Sequence, residues 1–400
     1  MNYRDALAWL YGTQAFGIKL GLDNARRLFV AAGNPRDRLR FLHVAGTNGK
    51  GSTCAVMDAV LRAGGMRCGL YTSPHLVDFR ERIRLDGAMI PEAAVAEGLG
   101  LLRECSSMWD HAPTFFELTT ALAAWWFARE GADIVVWETG MGGRLDATNV
   151  VTPLVSVITP VGLDHQQWLG NSLGAIAMEK AGIIKPGIPV VSAPQETEVR
   201  EVLEARAREV GASVRFVEAP CELSVGLAGA HQRWNAAVAL AALDAASLMP
   251  DVETCARGLA SVQWPARFQR IGGNLVIDGA HNVPAARALV AAWREVFGDT
   301  KARLVFGALC DKNPEELLRE LRDIADEVVL VPVNSGRAAA TAELRAAAEK
   351  LGFAATSESS LACALKSCGR RPVLVTGSLF LAGEALALLE GKAQPAASSQ

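Results

Sequence analysis

A chain of 400 residues is too long for one ordinary hydrophobic core, so two domains are expected. Half of its residues are hydrophobic and 21% are charged, a balance that fills cores and excludes a disordered polymer. The formal net charge of −3, with lysines and arginines dispersed along the chain, offers no basic arm, so nucleic acid is not expected as a partner.

The first nine residues carry Arg4 and Asp5 and hold no apolar secretory core. The eight cysteines include no CxxC pair and read as reduced thiols, which points to the cytoplasm. The most apolar helix-like run, 118–128, lies between Glu117 and Arg129. It falls short of the roughly 20 apolar residues that a membrane span needs, so a buried helix is expected and a membrane is not. The tail 393–400 reads as frayed.

In chain order, short β-rich apolar runs alternate with longer alanine- and leucine-rich stretches. Strands are predicted at 41–45, 68–72, 134–138, 154–159 and 189–192, with helices at 52–63, 116–129, 173–181 and 196–210. Such alternation predicts an α/β fold with a mainly parallel sheet. After an alanine-rich helix at 235–248, a proline-containing stretch, Gln263-Trp264-Pro265-Ala266-Arg267-Phe268, reads as a seam. The expected domains are therefore 1–268, with a P-loop-type sheet, and 269–400, a smaller Rossmann-like α/β domain. The second series has strands at 275–278, 303–306, 327–331 and 373–376, with helices at 284–296, 313–324 and 341–351. No solenoid repeat is apparent.

Strand 41–45 runs into Gly46-Thr47-Asn48-Gly49-Lys50-Gly51-Ser52-Thr53, and a helix follows. Glycines let a backbone turn tightly and bring several N–H groups onto one phosphate, aided by the helix N-terminus. Lys50 would meet the outer phosphates. The pattern is not a strict Walker A motif, since Val44 and Gly51 occupy positions where that motif has Gly and Ser or Thr. The competing reading is a glycine-rich turn with a surface lysine.

Gly46 to Ser52 spell GTNGKGS, which resembles the nucleotide loop of the folylpolyglutamate synthase and dihydrofolate synthase family of the Mur ligase superfamily. Gly17-Ile18-Lys19-Leu20-Gly21-Leu22 and Gly33-Asn34-Pro35 also resemble that family, and the similarity runs from about residue 3 to about residue 390. The resemblance implies that Thr47, Asn48, Gly49, Lys50, Gly51 and Ser52 bind ATP as co-substrate, with Asn235 near the base, Arg267 on the phosphates and Asp278 in nucleotide binding. It implies magnesium, as two ions, held by Ser73, Glu138, His165 and a carbamylated Lys180. A monovalent cation is a further candidate.

Ser73 follows a strand, Glu138 ends one, Gly162-Leu163-Asp164-His165 follows another, and Glu179-Lys180-Ala181-Gly182 ends a helix. Loops after parallel strands gather at one edge of a sheet, so Ser73, Glu138 and His165 can converge beside the phosphate loop. Glu138 and Ser73 suit magnesium as oxygen ligands, whereas chemistry alone would not have chosen His165. A core or loop-capping role competes for His165. For Lys180, an ordinary lysine at a helix C-terminus is the better reading without the resemblance.

In the second half, Asp278-Gly279-Ala280-His281-Asn282 resembles the family's C-terminal signature, and His281 is implied close to the reacting groups. A loop histidine before a capped helix is the alternative. Two departures stand out: Ala266 precedes Arg267 where the family usually has glycine, and Asn313 follows Asp311-Lys312 where a second aspartate is common. The resemblance implies amide ligation through an acyl phosphate. L-glutamate would be joined to dihydropteroate, to the glutamate tail of tetrahydrofolate, or to both, by a monomer. Lys50, Lys180 and His281 would form the catalytic set. The bifunctional form is expected because Leu145, Asp146 and Ala147 match a pteroate-holding stretch and Thr114, Phe115 and Phe116 match a pterin-site region. The buried helix that follows is an equal account of the two rings. A folate-elongating enzyme alone, or a peptidoglycan-precursor ligase, is the alternative within the superfamily.

Overall fold

A computed structural model describes residues 1–17, 21–366 and 371–392. Ile18, Lys19 and Leu20 of the resemblance, Cys368 and the tail 393–400 lie outside the described residues.

The chain forms two compact units. The first comprises Met1–Pro74, Arg80–Gly226 and Arg233–Val262; the second comprises His75–Phe79, Leu227–Gln232 and Gln263–Gln400. The first unit carries β1 (Phe41–Ala45), β2 (Cys68–Tyr71), β3 (Ile83–Leu85), β4 (Ala88–Met89), β5 (Ile134–Glu138), β6 (Val155–Ile158), β7 (Val190–Ser192) and β8 (Val214–Phe216). They build one sheet in the order β4-β3-β2-β5-β1-β6-β7-β8. β2 through β8 run parallel in that order, and β3 and β4 add an antiparallel edge. Every residue of β1, β5 and β6 is buried, which explains why these strands read as continuous apolar runs rather than alternating ones. On one face, Ala45, Ile158 and Val190 pack with Ala177 and Ala181 of helix Leu173–Ala181 and with Val199 and Leu203 of helix Thr197–Glu209.

The second unit carries β9 (Gln269–Ile271), β10 (Leu275–Ile277), β11 (Ala302–Phe306), β12 (Ala325–Leu330), β13 (Ala354–Ser357) and β14 (Val373–Thr376). Their order is β13-β12-β11-β14-β10-β9, parallel except for β9. Alternation along β11 divides its core: Leu304 and Phe306 join the cluster around Trp293, while Val305 joins the cluster around Leu381.

The α/β reading holds for both units, and β1, β5, β14 and helix Leu173–Ala181 have the predicted limits. Helices Tyr3–Gly12, Asp23–Ala31, Glu92–Ser106 and Val252–Ser261, the edge strands β4, β8, β9 and β13 and the short strand β3 were not predicted. Among the described residues no helix is long and apolar enough to cross a membrane.

Candidate active site

Strands β2, β5, β1 and β6 are neighbours in that order and parallel. The segments leaving their carboxyl ends, at Ser73, Glu138, Gly46 and Asp164, must therefore emerge at one edge of the sheet. This is the physical reason why motifs far apart in sequence become one site.

The phosphate loop is turned by glycine at two positions. Gly46 has φ +152°, and a Cβ there would lie 1.8 Å from Thr159 Oγ1. Gly49 has φ +85°, and a Cβ there would meet Asn235 Oδ1 at 2.5 Å. Asn235, on helix Ala230–Ala245, therefore lies against the loop. Thr47 N–H donates to the Pro160 carbonyl at 2.9 Å, and its hydroxyl donates to the Gly162 carbonyl at 3.0 Å. Gly51 and Ser52 lie in the first turn of helix Lys50–Ala63, and that helix points its unpaired N–H end into the loop. Asn48 precedes Gly49 in the same turn and is half-buried.

Two lysines meet on one atom. Lys50 Nζ donates to the carbonyls of Gly46 at 3.1 Å and Thr47 at 3.2 Å, and Lys180 Nζ donates to the same Gly46 carbonyl at 2.8 Å. Lys180 is buried, and burial together with the Lys50 charge lowers its pKa to about 7. An amine held there is about half neutral at neutral pH, and the neutral form is the one that can act as a nucleophile.

Glu138 is buried, and its Oε2 accepts the Ser73 N–H at 3.0 Å. His165 differs from both: its side chain is 38% exposed, its backbone is left-handed at φ +52°, and its ring lies 4.0 Å from Asp164 Oδ2. Among the described residues no three His, Cys, Asp or Glu side chains cluster as a metal cage. The hard oxygens of Glu138 and Ser73 fit magnesium, an ion that takes few protein ligands and leaves the remainder to phosphate and water.

The loop 140–149 follows β5 and is laced onto the end of helix Leu173–Ala181. Arg144 forks onto Glu179 at 2.8 and 3.1 Å, and Asn149 Nδ2 donates to the carbonyls of Arg144 and Gly182. Inside it, Asp146 accepts the N–H groups of Met141 at 2.9 Å and Thr148 at 3.0 Å as well as the Thr148 hydroxyl. Burial raises the Asp146 pKa against these donors. Leu145 is half-buried and Ala147 buried beside it. Thr114 is the N-cap of helix Phe115–Glu130 in a reciprocal capping box with Glu117. Phe115 is buried with its ring 5.5 Å from that of Tyr11, whereas Phe116 is half-buried and lies where a Cβ on Gly140 would be. Of the two rings, Phe116 borders the loop and Phe115 belongs to the core.

In the second unit Arg267, Asp278 and His281 lie on two adjoining turns. Asp278 accepts the N–H groups of Phe268 at 2.7 Å and Ala280 at 2.8 Å. Burial raises its pKa, opposed by the Arg267 charge. Ala266 and Phe268, on either side of Arg267, have left-handed φ of +55° and +45°. Ala266 therefore occupies a conformation that favours glycine. The Gly279 carbonyl lies 2.8 Å from His281 Nδ1, so that nitrogen carries the proton and donates. Asn282 caps helix Val283–Phe297, with Pro284 in its first turn.

Three site residues escaped the sequence reading. His43, in the middle of β1, is buried, and its Nε2 is 2.9 Å from the Thr148 hydroxyl. Thr148 directly follows the stretch Leu145-Asp146-Ala147, but nothing in the sequence gives its hydroxyl a role. His231 is held down to about pKa 4 by burial and by the Arg267 charge. A histidine inside the apolar strand Phe41-Leu42-His43-Val44-Ala45 was the available signal, since a buried polar side chain needs a partner.

A glycine-turned phosphate loop opening a helix, two lysines on one loop carbonyl and a buried carboxylate at the same sheet edge define a phosphate-handling α/β enzyme of the nucleotide-dependent ligase kind. Residues 266–379 match the family model described as Mur ligase, glutamate ligase domain. The chain is 34% identical to the dihydrofolate synthase/folylpolyglutamate synthase of Bacillus subtilis, over 87% of this chain and 89% of that protein. It is 37% identical to a probable bifunctional folylpolyglutamate synthase/dihydropteroate synthase of Haloferax volcanii, over 96% of this chain but only 50% of the longer relative. The solved structure of E. coli FolC in complex with DHPP and ADP superposes with a TM-score of 0.88 at 31% identity, covering 96% of this chain and 98% of that one. The chain belongs to the folylpolyglutamate synthase/dihydrofolate synthase family of the Mur ligase superfamily. It is a glutamate ligase of that type.

Proposed function

We propose that the chain joins L-glutamate to dihydropteroate and to the glutamate tail of tetrahydrofolate. ATP would convert the acceptor carboxylate to an acyl phosphate. A carboxylate oxygen attacks the γ-phosphorus and ADP departs. The glutamate amine then attacks the acyl carbon, and phosphate leaves as the amide forms. The observation that carries this reading is the pairing of Lys50 and Lys180 on the Gly46 carbonyl, inside a loop whose N–H groups and helix end favour an anion.

In this reading Thr47 to Ser52 cradle the phosphates, Asn235 supports the loop near the base, and Lys50 and Arg267 offset charge on the transferring oxygens. Asp278 holds the turn that presents Arg267, and His281 is the candidate to take the amine proton. Glu138 and Ser73 would hold magnesium, with His165 and a carbamylated Lys180 as further ligands. When bound, magnesium would neutralise phosphate oxygens. The first unit would carry nucleotide and folate, and the second would carry glutamate ligation, in a monomeric cytoplasmic enzyme. Phe116, Leu145, Asp146 and Ala147 would line the pterin region, with Thr114 and Phe115 shaping it from behind.

One observation favours a second reading, elongation of reduced folates alone. Asp146 is already engaged by Thr148 and Met141, so its capacity to accept from a pterin is reduced. Mass spectrometry of products, with dihydropteroate, tetrahydrofolate and a peptidoglycan precursor offered in parallel, separates the readings. Glutamate addition to both pterin substrates is expected, with Asp146→Ala weakening dihydropteroate use more than tetrahydrofolate use. Addition to tetrahydrofolate alone leaves the elongating enzyme.

A further inference from the structure

His43 sits three residues before Gly46, wholly buried between β5 and β6. Among the described residues its ring has one hydrogen-bonding neighbour, the Thr148 hydroxyl, 2.9 Å from Nε2, and its Nδ1 is buried with no partner among them. Thr148 is also fully buried, and its carbonyl accepts the Trp137 indole N–H at 3.1 Å. Its hydroxyl lies against Asp146 Oδ1, which also accepts the Thr148 N–H.

Proton counting orders this chain. N–H donors on both of its oxygens hold Asp146 as an acceptor, so the single Thr148 hydroxyl proton goes to it. The Thr148 oxygen then accepts, and the proton between it and His43 must belong to Nε2. Burial and the charge of Lys185 keep the imidazole neutral, with a pKa of about 3, so Nδ1 is a bare lone pair. Donation runs one way, from β1 through Thr148 into the loop 140–149.

We infer that His43 is a positioning residue for the acyl-acceptor site: acting through Thr148, it fixes Asp146 as an oriented acceptor and so sets the shape of the loop that reads the pterin. The inference rests on the proposed pteroate role of that loop. It also gives β1 two tasks. Its carboxyl end turns into the phosphate loop, while its middle fixes the neighbouring loop from beneath. Met141, Thr148 and Asp146 make contacts local to the loop, whereas two anchors come from the sheet, Trp137 on the Thr148 carbonyl and His43 on its hydroxyl, and only the second reaches Asp146.

The test compares His43→Leu and Thr148→Val, which keep size and remove the polar atoms, with His43→Gln and Thr148→Ser, which keep a donor or hydroxyl. The apolar variants should raise the dihydropteroate KM about tenfold, the effect of one ordinary hydrogen bond at its upper range, with the ATP KM within about twofold. The conservative variants should recover most of that loss. A parallel rise in both KM values, or no rescue by glutamine, makes His43 a core residue only and overturns the inference. Imidazole ¹⁵N shifts of the full chain, with His43 assigned by its loss in His43→Gln, supply an arm independent of turnover. A protonated Nε2 and bare Nδ1 are expected, and the opposite tautomer overturns the relay. If the wild type uses tetrahydrofolate only, the kinetic arm is run on that substrate and the ¹⁵N arm stands unchanged.

Discussion

The phosphate loop of the first unit and the Arg267 turn of the second each present a cation on a sharply bent backbone, and they bend it by different means. The first uses Gly46 and Gly49, whose missing Cβ atoms admit Thr159 and Asn235 into close contact. The second places Ala266 and Phe268 in left-handed conformations and secures them with the Asp278 carboxylate, which takes the Phe268 and Ala280 N–H groups. A loop that must let phosphate approach its backbone benefits from removing side chains. A turn that only has to aim an arginine can carry strain if a buried acceptor over-determines it.

The comparison breaks most severely at Lys180. Lys180→Ala removes a buried amine that shares the Gly46 carbonyl with Lys50, and ligation should fall about a thousandfold, the upper range for losing one group that stabilises developing charge. Circular dichroism and cooperative unfolding should be retained. Partial rescue by a short carboxylate in solution would support the carbamate, whereas activity within about tenfold of wild type would remove Lys180 from the mechanism.

Next in size is Asp278→Ala. It leaves two backbone N–H groups without their acceptor and releases two left-handed residues, so a loss of about 2–4 kcal/mol in urea unfolding is expected. ATP use should fall with it, while Asp278→Asn, which keeps one acceptor oxygen, should lie between. An unaltered unfolding midpoint in the alanine variant would mean that the turn holds without its carboxylate.

Much of the first site was legible in sequence because its signals are local. GTNGKGS follows a strand and opens a helix, and Glu138 ends the apolar run Ile134-Val135-Val136-Trp137. Parallel order then brings Ser73, Glu138 and Gly46 to one edge without further information. What escaped depends on pairs distant in the chain. Nothing near His43 announces Thr148, nothing near Lys180 announces the Gly46 carbonyl, and Arg144 finds Glu179 only once helix Leu173–Ala181 has packed. Edge strands were missed for another reason. β4 is two exposed residues, and β8 is three, with half-buried Val214 and Phe216 around exposed Arg215, so both are too short for an apolar run or a sustained alternation to mark them. In the second site the departure at Ala266 was visible, but its left-handed backbone was not.

A pH series sharpens the comparison from the side of the first site. Lys180 holds a pKa of about 7 in the fold against an ordinary 10.5. Between those values the unfolded chain binds a proton that the folded chain does not, so this residue makes stability rise with pH across that window. Below about pH 7 both states carry the charge, and the cost of burying it is at its greatest. Lys180→Met should therefore stabilise the protein most at about pH 6 and progressively less toward pH 10 in carbon-dioxide-free buffer. A difference from wild type that is flat with pH, measured by urea unfolding, would mean that Lys180 titrates normally.

The smallest effect tests the second site at its strained alanine. Ala266→Gly relieves a left-handed residue, a gain of about 1–2 kcal/mol. It also removes a methyl group that is fully buried in the cluster with Ile277, Val305 and Leu381, a loss of about 0.8 kcal/mol. Glycine's greater freedom in the unfolded chain takes away a further 0.5–1 kcal/mol or so. These contributions nearly cancel, and the net change should stay within about 1 kcal/mol of zero. Gly49→Ala is the matched substitution in the first site and should behave differently. There the new methyl meets Asn235 Oδ1 at 2.5 Å on a backbone at φ +85°, so strain and collision add, and alanine's smaller freedom in the unfolded chain, about 0.5–1 kcal/mol, offsets only part of them. Chemical unfolding of the pair reads the contrast directly. A clear loss for Gly49→Ala beside near-neutrality for Ala266→Gly is the expected pattern. A gain above about 2 kcal/mol for Ala266→Gly would mean that the buried methyl contributes little and that Asp278 holds the turn against most of its strain.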